Sequence, residues 1–490
     1  LKQAHCACWL NYFLSSWVKS VNFTIQNALI PVEPHYQTVD VQIVNGRIAA
    51  IAPNLDVVGT VVDGCNKLLL PGFVNAHTHS SEMWQRGMIS PLPLELWLAE
   101  LYDLSRLEPE QVYLSALGTA VETLLSGGTS VVDHLTLIPG QEMETIAAAV
   151  RAYREIGMRA FIGPLIQDES LPASMPLGKL SLNQEPYLRS TEESLALLEE
   201  AVHKFHCPTQ GIYILPAPTG MQLCSDALFE GCIELSDRHT LCCHTHLLET
   251  KAQQMLAQEK YGCSAVEHLK QIGFLKPRTS LAHCIWLSDA DTAILSMTRS
   301  TVVHNPLSNL RLGSGIAPIL QYRQAGVNLA FGCDGAASND SQDLLEAIKL
   351  GAILHNVTDA DYQNWITPRQ AVEIAALGGA TGLGMADELG SLTVGKQADL
   401  VLYDLMNLSL LPRTDPIGLL ILGRPTQAVD SVWVRGDRIV VNGKVTTIDV
   451  NALRRNLFER SQWTVDRQST TSSFEAHYRS VMNLPAQKMP

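Results

Sequence analysis

The chain has 490 residues, more than one ordinary domain holds, so its length implies two or three domains or one large barrel with an appendage. Hydrophobic residues make up 46% and charged residues 17%, which suits a large buried core and excludes an intrinsically disordered chain. The 49 acidic and 35 basic residues leave a formal charge of −14. Without clustered Lys and Arg this excludes a nucleic-acid footprint and reads as solubility.

The chain opens on Leu1 to Ser20, with an apolar patch around Trp9, Leu10, Tyr12, Phe13 and Leu14. Only Lys2 charges its start, the apolar part is interrupted and no small-residue cleavage site follows. Residues 1–20 therefore read as a weakly packed extension rather than a signal peptide. No apolar run reaches the ~18 residues of a membrane span. From about Val21 the pattern becomes short strands, Phe23 to Leu29 and Val39 to Ile51, with Asn45-Gly46 as a hairpin turn.

The middle of the chain alternates apolar runs with amphipathic stretches. The runs are Leu68 to Ala76, Gly128 to Asp133, Ala160 to Gly163, Gly211 to Pro216, Thr240 to His244, Ser280 to His283, Thr301 to His304 and Asn328 to Gly332. Eight such units predict a (β/α)8 TIM barrel with its chemistry at the C-terminal ends of the strands. Strand patterns return at Ala398 to Tyr403, Val429 to Val434 and Arg438 to Val441. Both chain ends thus contribute to one small β-sandwich domain. The expected division is an extension over 1–20, small domain over 21–68, barrel over 69–384, small domain again over 385–446, and a C-terminal helix and tail over 447–490. Eleven cysteines form no Cys-x-x-Cys pair and sit among apolar neighbours, which points to reduced thiols in a cytoplasmic protein.

His77-Thr78-His79 follows the first barrel run. Residues two apart on a strand face the same side, so both imidazoles can point into the barrel mouth. Three further predicted strand ends carry polar groups: His244-Thr245-His246 with Glu249 beyond it, His283, and Asp334. Imidazoles and a carboxylate suit Zn2+, and also Fe2+ or Mn2+, with room for a water in a catalytic site.

Pro71-Gly72-Phe73-Val74-Asn75-Ala76-His77-Thr78-His79 resembles the first-strand signature of the amidohydrolase superfamily. Ala282-His283-Cys284, His304-Asn305-Pro306-Leu307-Ser308-Asn309 and Asp334-Gly335-Ala336-Ala337-Ser338-Asn339-Asp340 are similar to its group of triazine hydrolases, guanine deaminases and thioadenosine/adenosylhomocysteine deaminases. The resemblance covers roughly Phe23 to Lys444. It implies that His77, His79, His246 and Asp334 bind one divalent metal ion, Zn2+ foremost. It implies that Asp334 also takes a proton from the water, that Glu249 shuttles a proton, and that His283 positions substrate and water. His244 shares a strand face with His246, but the spacing to Glu249 favours His246. Two-metal members use a carboxylated lysine on strand 4, and Gly211 to Ala217 has none, hence one ion.

Substrate contacts are expected from His304 and Asn305, from Trp286, and from Trp84, Gln85 and Trp97 in the loop after strand 1. Related nucleoside deaminases carry His-Ala-Pro-Tyr where this chain has Pro216-Ala217-Pro218-Thr219, which speaks against ribose. The expected activity is hydrolytic deamination of an amino-substituted nitrogen heterocycle, hydroxide from the cation-bound water attacking the ring carbon. The alternatives are a hydrolytic dehalogenase or N-dealkylating triazine-type hydrolase, and a non-catalytic scaffold on the same fold. The expected partner is a small heterocycle, with self-association into a homo-oligomer and neither nucleic acid nor membrane.

Overall fold

The structure, a computed structural model, describes residues 22–104, 107–176, 188–461 and 472–484. The expected extension over 1–20 lies outside the described residues.

Strands β1 (Phe23–Val32), β2 (His35–Val44), β3 (Arg47–Ala52), β4 (Thr60–Asp63) and β5 (Lys67–Pro71) come from the start of the chain. They join late strands in one nine-stranded sheet. The β2–β3 hairpin turns at Asn45-Gly46, both at positive φ (51° and 73°), with Val44 paired to Arg47. That is the backbone an Asn-Gly pair favours.

The expected first barrel strand, Leu68 to Ala76, divides between two sheets. β5 stays in the small sheet, and β6 (Phe73–Thr78) enters the barrel. The break falls at Gly72, where an added Cβ would lie 2.2 Å from Thr129. Apolar composition cannot separate two consecutive buried strands, so the run reads as one.

Seven strand positions follow: β7 (Gly128–Leu135), β8 (Arg159–Ile166), a fourth split into β9 (Ile212–Ile214) and β10 (Ala217–Pro218), β11 (Cys243–Leu247), β12 (Thr279–His283), β13 (Thr301–His304) and β14 (Asn328–Phe331). β11 starts later than the expected Thr240, which carries His246 into the strand. The barrel strands pair as two parallel sheets, and backbone bonds join them. His244 N donates to Pro216 O at 3.1 Å on one side, and Asp334 N donates to His77 O at 2.9 Å on the other. The eight positions thereby close into a ring.

Helices α1 (Leu94–Leu104), α2 (Pro109–Leu125), α3 (Glu142–Ile156), α4 (Thr191–Phe205) and α5 (Asp226–His239) occupy the first half of the barrel sequence. α4 opens with a reciprocal cap: Glu193 N donates to Ser190 Oγ, and Ser190 N donates to Glu193 Oε2.

β15 (Leu400–Asp404), β16 (Val429–Val434), β17 (Asp437–Val441) and β18 (Lys444–Val445) complete the small sheet. Its alternation sorts side chains between two cores. Leu69, Leu400 and Leu402 join Phe23, Ile25 and Trp433 in the small core. Leu68, Leu70, Val401 and Tyr403 join the barrel core.

One buried ion pair also links the two parts. Arg159, at the start of β8, donates to Asp399 Oδ1 at 2.8 Å, with side-chain exposures of 0% and 3%. The same oxygen accepts from Arg435 N at 2.9 Å. Removing one partner strands a buried charge, which costs about 3–5 kcal/mol. Asp399→Ala should lose about that much stability in chemical denaturation, and Arg159→Met with Asp399→Leu should recover most of it.

Candidate active site

Each polar group sits where a strand ends and the chain turns. His77 and His79 leave β6 on one face, with ring centroids 4.9 Å apart. Thr78 between them points the other way and donates to Gln342 Oε1 at 2.9 Å. His283 and Asp334 take positive φ values of 74° and 65°. Such a backbone costs about 1–3 kcal/mol per residue and persists where its surroundings enforce it. Asp334 is held by its N–H to His77 O, by Gly335 N to its Oδ1 at 2.7 Å, and at its carbonyl by Gln342 Nε2 at 2.6 Å and Thr78 Oγ1 at 2.9 Å.

The imidazoles are oriented from behind. His79 Nδ1 donates to His134 O and His246 Nδ1 donates to Thr219 O, each at 2.6 Å. His77 Nδ1 pairs with His244 Nε2 at 2.8 Å, and His244 Nδ1 with Ser280 Oγ at 2.6 Å. His283 Nδ1 donates to Asn309 Oδ1 at 2.8 Å. With these Nδ1 atoms engaged, the Nε2 atoms of His77, His79, His246 and His283 are left to face inward, the arrangement that prepares histidines for a metal.

The inward atoms converge. His77 Nε2 and His79 Nε2 each lie 3.4 Å from Asp334 Oδ1. His79 Nε2 lies 3.3 Å from His246 Nε2. Metal–ligand bonds of about 2.0–2.1 Å in a tetrahedron place donors about 3.3–3.4 Å apart. Two lone-pair nitrogens at that distance repel unless a proton or a cation lies between them, and His77 Nε2 is buried without a hydrogen-bond partner. The residues fit a metal ion. His244 has both ring nitrogens engaged, which favours His246 as the donor from β11.

Electrostatics divide the remaining groups. Burial lowers His77 to about 4. Burial and the neighbouring imidazoles hold His246 and His244 well below the usual range. Burial alone would raise Asp334, but His77, His283 and His79 outweigh it and keep the carboxylate ionised. Glu249 goes the other way: burial, then Asp334 and Glu95, push it well above the usual carboxyl range. His283 Nε2 stands between the two carboxyls, 3.5 Å from Glu249 Oε2 and 3.8 Å from Asp334 Oδ2.

These groups form one end of a cavity. Its opposite wall is apolar, with Leu94, Trp97, Leu98 and Leu101 from α1 and Leu165, Leu223 and Leu312 from elsewhere. No Lys or Arg lines it among the described residues. Glu82, which sequence reading misses, also lines it. Burial, opposed by His79, raises Glu82 to about 7. It lies one turn beyond the second histidine, a position with no distinguishing motif. Gly335 leaves it room, since a Cβ there would stand 1.8 Å from Glu82 Oε2.

The expected substrate contacts fare differently. Trp97 lines the cavity, but Trp84, Gln85, Trp286, His304 and Asn305 stand outside its lining. Trp84 Nε1 donates to Gln111 O and Trp286 Nε1 to Ser314 O. Gln85 is buried in the short turn after His79. His304 faces His355, Nε2 to Nε2 at 3.3 Å. Asn305 Nδ2 lies 3.5 Å from His283 Nδ1, behind the ring. All five follow site residues in sequence, but their side chains turn into the packing around the mouth.

Residues 68–445 match the amidohydrolase family. The chain belongs to that family. It is a hydrolase of carbon–nitrogen bonds, within a family whose chemistry depends on metal. A 5-methylthioadenosine/S-adenosylhomocysteine deaminase of Caldanaerobacter subterraneus is 31% identical over 419 residues, covering 85% of this chain and 91% of the relative. An adenosine deaminase from Xanthomonas campestris with bound zinc superposes at TM-score 0.78 and 28% identity, covering 89% of this chain and 97% of that one. A triazine hydrolase from Arthrobacter aurescens shares the fold at TM-score 0.83 and 23% identity, covering 90% and 99%.

His246→Ala should strip most of the metal that survives gel filtration, whereas His244→Ala should weaken affinity by about 10–100-fold, the usual loss for a group that orients a ligand. Metal content unchanged in His246→Ala would move the ligand elsewhere.

Proposed function

We propose that the chain is a hydrolytic deaminase of an amino-substituted nitrogen heterocycle. One divalent cation, Zn2+ foremost, is held by His77, His79, His246 and Asp334. The observation that carries this reading is that His77 and His79 Nε2 each lie 3.4 Å from Asp334 Oδ1, with His246 Nε2 3.3 Å from His79 Nε2, beside a Glu249 whose pKa burial raises well above the usual carboxyl range. Strand 4 supports a single ion: it supplies backbone carbonyls, Ala217 O to His134 and Thr219 O to His246, and no lysine.

When bound, the cation supplies a water acidic enough to attack near neutral pH. The protein's own groups manage the protons. Asp334 Oδ1 faces His77 and His79, which leaves Oδ2 to accept a proton from the attacking water. Glu249, kept protonated, gives its proton to the ring nitrogen or the leaving amine. His283 holds the water and the reacting carbon between these two carboxyls.

The cavity also supports a substrate class. Three carboxyls and no lining cation among the described residues favour an uncharged ring with N–H donors over an anionic substrate. Trp97 and Gln222 line the cavity, and their Nε1 and Oε1 atoms are buried without protein partners. They offer one donor and one acceptor to the ring, with Glu82 as a further acceptor. The leucine wall suits an apolar substituent such as the methylthio group in the name of the Caldanaerobacter relative. The second reading, displacement of halide from a triazine, needs no proton donor at Glu249, so a buried protonated Glu249 favours an amine leaving group.

Ammonia release should be found when purines, pterins, pyrimidines, triazines and thioadenosine compounds are screened, and its absence across all classes would refute deamination. Glu249→Gln should retain the metal and lower kcat by about 10²–10⁴-fold, the range of lost acid–base catalysis. Full activity would remove Glu249 from the mechanism.

A further inference from the structure

A second group of metal-ligating side chains lies outside the barrel mouth, where α4 and α5 come together on the exterior. Glu199 and His203 are four residues apart on α4, so they share one face of its last turns. His239 is the last residue of α5. Their ligand atoms all lie within 4.8 Å of one another.

The arrangement is specific. His203 Nε2 and His239 Nε2 both face one carboxylate oxygen, Glu199 Oε1, at 3.1 and 2.8 Å. The two rings stand nearly perpendicular, at 89°, with centroids 5.7 Å apart. Arg238 pairs with the other oxygen, Oε2, at 2.5 Å, which leaves Oε1 facing the two imidazoles. One carboxylate oxygen facing two imidazole nitrogens sets three metal-ligand atoms together. Both helices end here, and the partial negative charge of two helix C-termini adds to the attraction for a cation. His206, on the same side, is already engaged: its Nδ1 accepts from Ile214 N at 3.1 Å.

We propose that Glu199, His203 and His239 form a peripheral transition-metal site of two imidazoles and one carboxylate, which takes Zn2+ or a similar borderline cation with water completing the shell. The ion replaces the two ring protons that otherwise bridge to Glu199. Occupancy ties the helix ahead of strand 4 to the helix ahead of strand 5. This inference is independent of the deaminase reading.

The test is Zn2+ binding to the full-length holoenzyme after removal of loosely held metal, compared with the His203→Ala/His239→Ala variant. Equilibrium dialysis should show one more zinc per chain in the wild type than in the variant. Zn2+ should also raise the melting temperature of the wild type more than that of the variant. His203→Ala and His239→Ala alone should each weaken the extra equivalent at least tenfold, while ammonia release with the best substrate stays unchanged. Equal zinc uptake by wild type and double variant would overturn the proposal and leave a surface ion-pair network. An extra zinc that persists in the variant would overturn it too, by placing that ion elsewhere.

Discussion

Ligand-type atoms of His77, His79, His246 and Asp334 crowd together in the barrel mouth, and His77 Nε2 among them is buried without a hydrogen-bond partner. His79 Nε2 and His246 Nε2 approach to 3.3 Å with both Nδ1 atoms already donating to carbonyls, so two neutral rings would present lone pairs to each other; burial would lower His79, but Glu82 and Asp334 outweigh it and raise its pKa. Only a cation or a proton removes that repulsion, and burial drives the His246 imidazole well below its ordinary pKa. The rest of the barrel mouth is organised around this conflict. Backbone carbonyls of Thr219 and His134 fix two rings. His244 and Ser280 fix a third from behind. Left-handed backbone at His283 and Asp334 aims two more groups inward.

The same crowding separates the carboxyls by charge. The imidazoles around Asp334 outweigh burial and hold its pKa well below the usual carboxyl range, while burial, with Asp334 and Glu95, pushes Glu249 well above it. Two carboxyls with opposite pKa shifts thus share one cavity, with His283 between them. Two groups of the same chemical type are driven to opposite states by their neighbours, which is how acid–base chemistry can run near neutral pH. The apolar wall from α1 keeps bulk water from levelling that difference.

Much of this is legible in the sequence because metal ligands and proton carriers are constrained in type and spacing. His77, His79, His283 and Asp334 stand at or just beyond strand ends that periodicity locates, and Glu249 is picked out by the family resemblance. His246 can be told from His244 only by its distance to Glu249, and the structure adds the reason, since His244 is spent on His77 and Ser280. Substrate contacts are less legible. Trp84, Gln85, Trp286, His304 and Asn305 flank site residues, yet their side chains turn into packing, because neighbourhood in sequence does not set which way a loop side chain points. Glu82 escapes notice for the opposite reason, as a single carboxyl in no motif whose burial only the closed barrel reveals. The division of Leu68 to Ala76 at Gly72 is hidden because both resulting strands are buried and apolar.

The central claim is that one cation sits among His77, His79, His246 and Asp334. Anomalous diffraction at the zinc edge, from crystals of enzyme prepared with zinc, tests it most directly. A single barrel peak within about 2.0–2.3 Å of the three Nε2 atoms and Asp334 Oδ1 is the expected result. Two peaks in the barrel, or one peak among His77, His134 and His244, would contradict it.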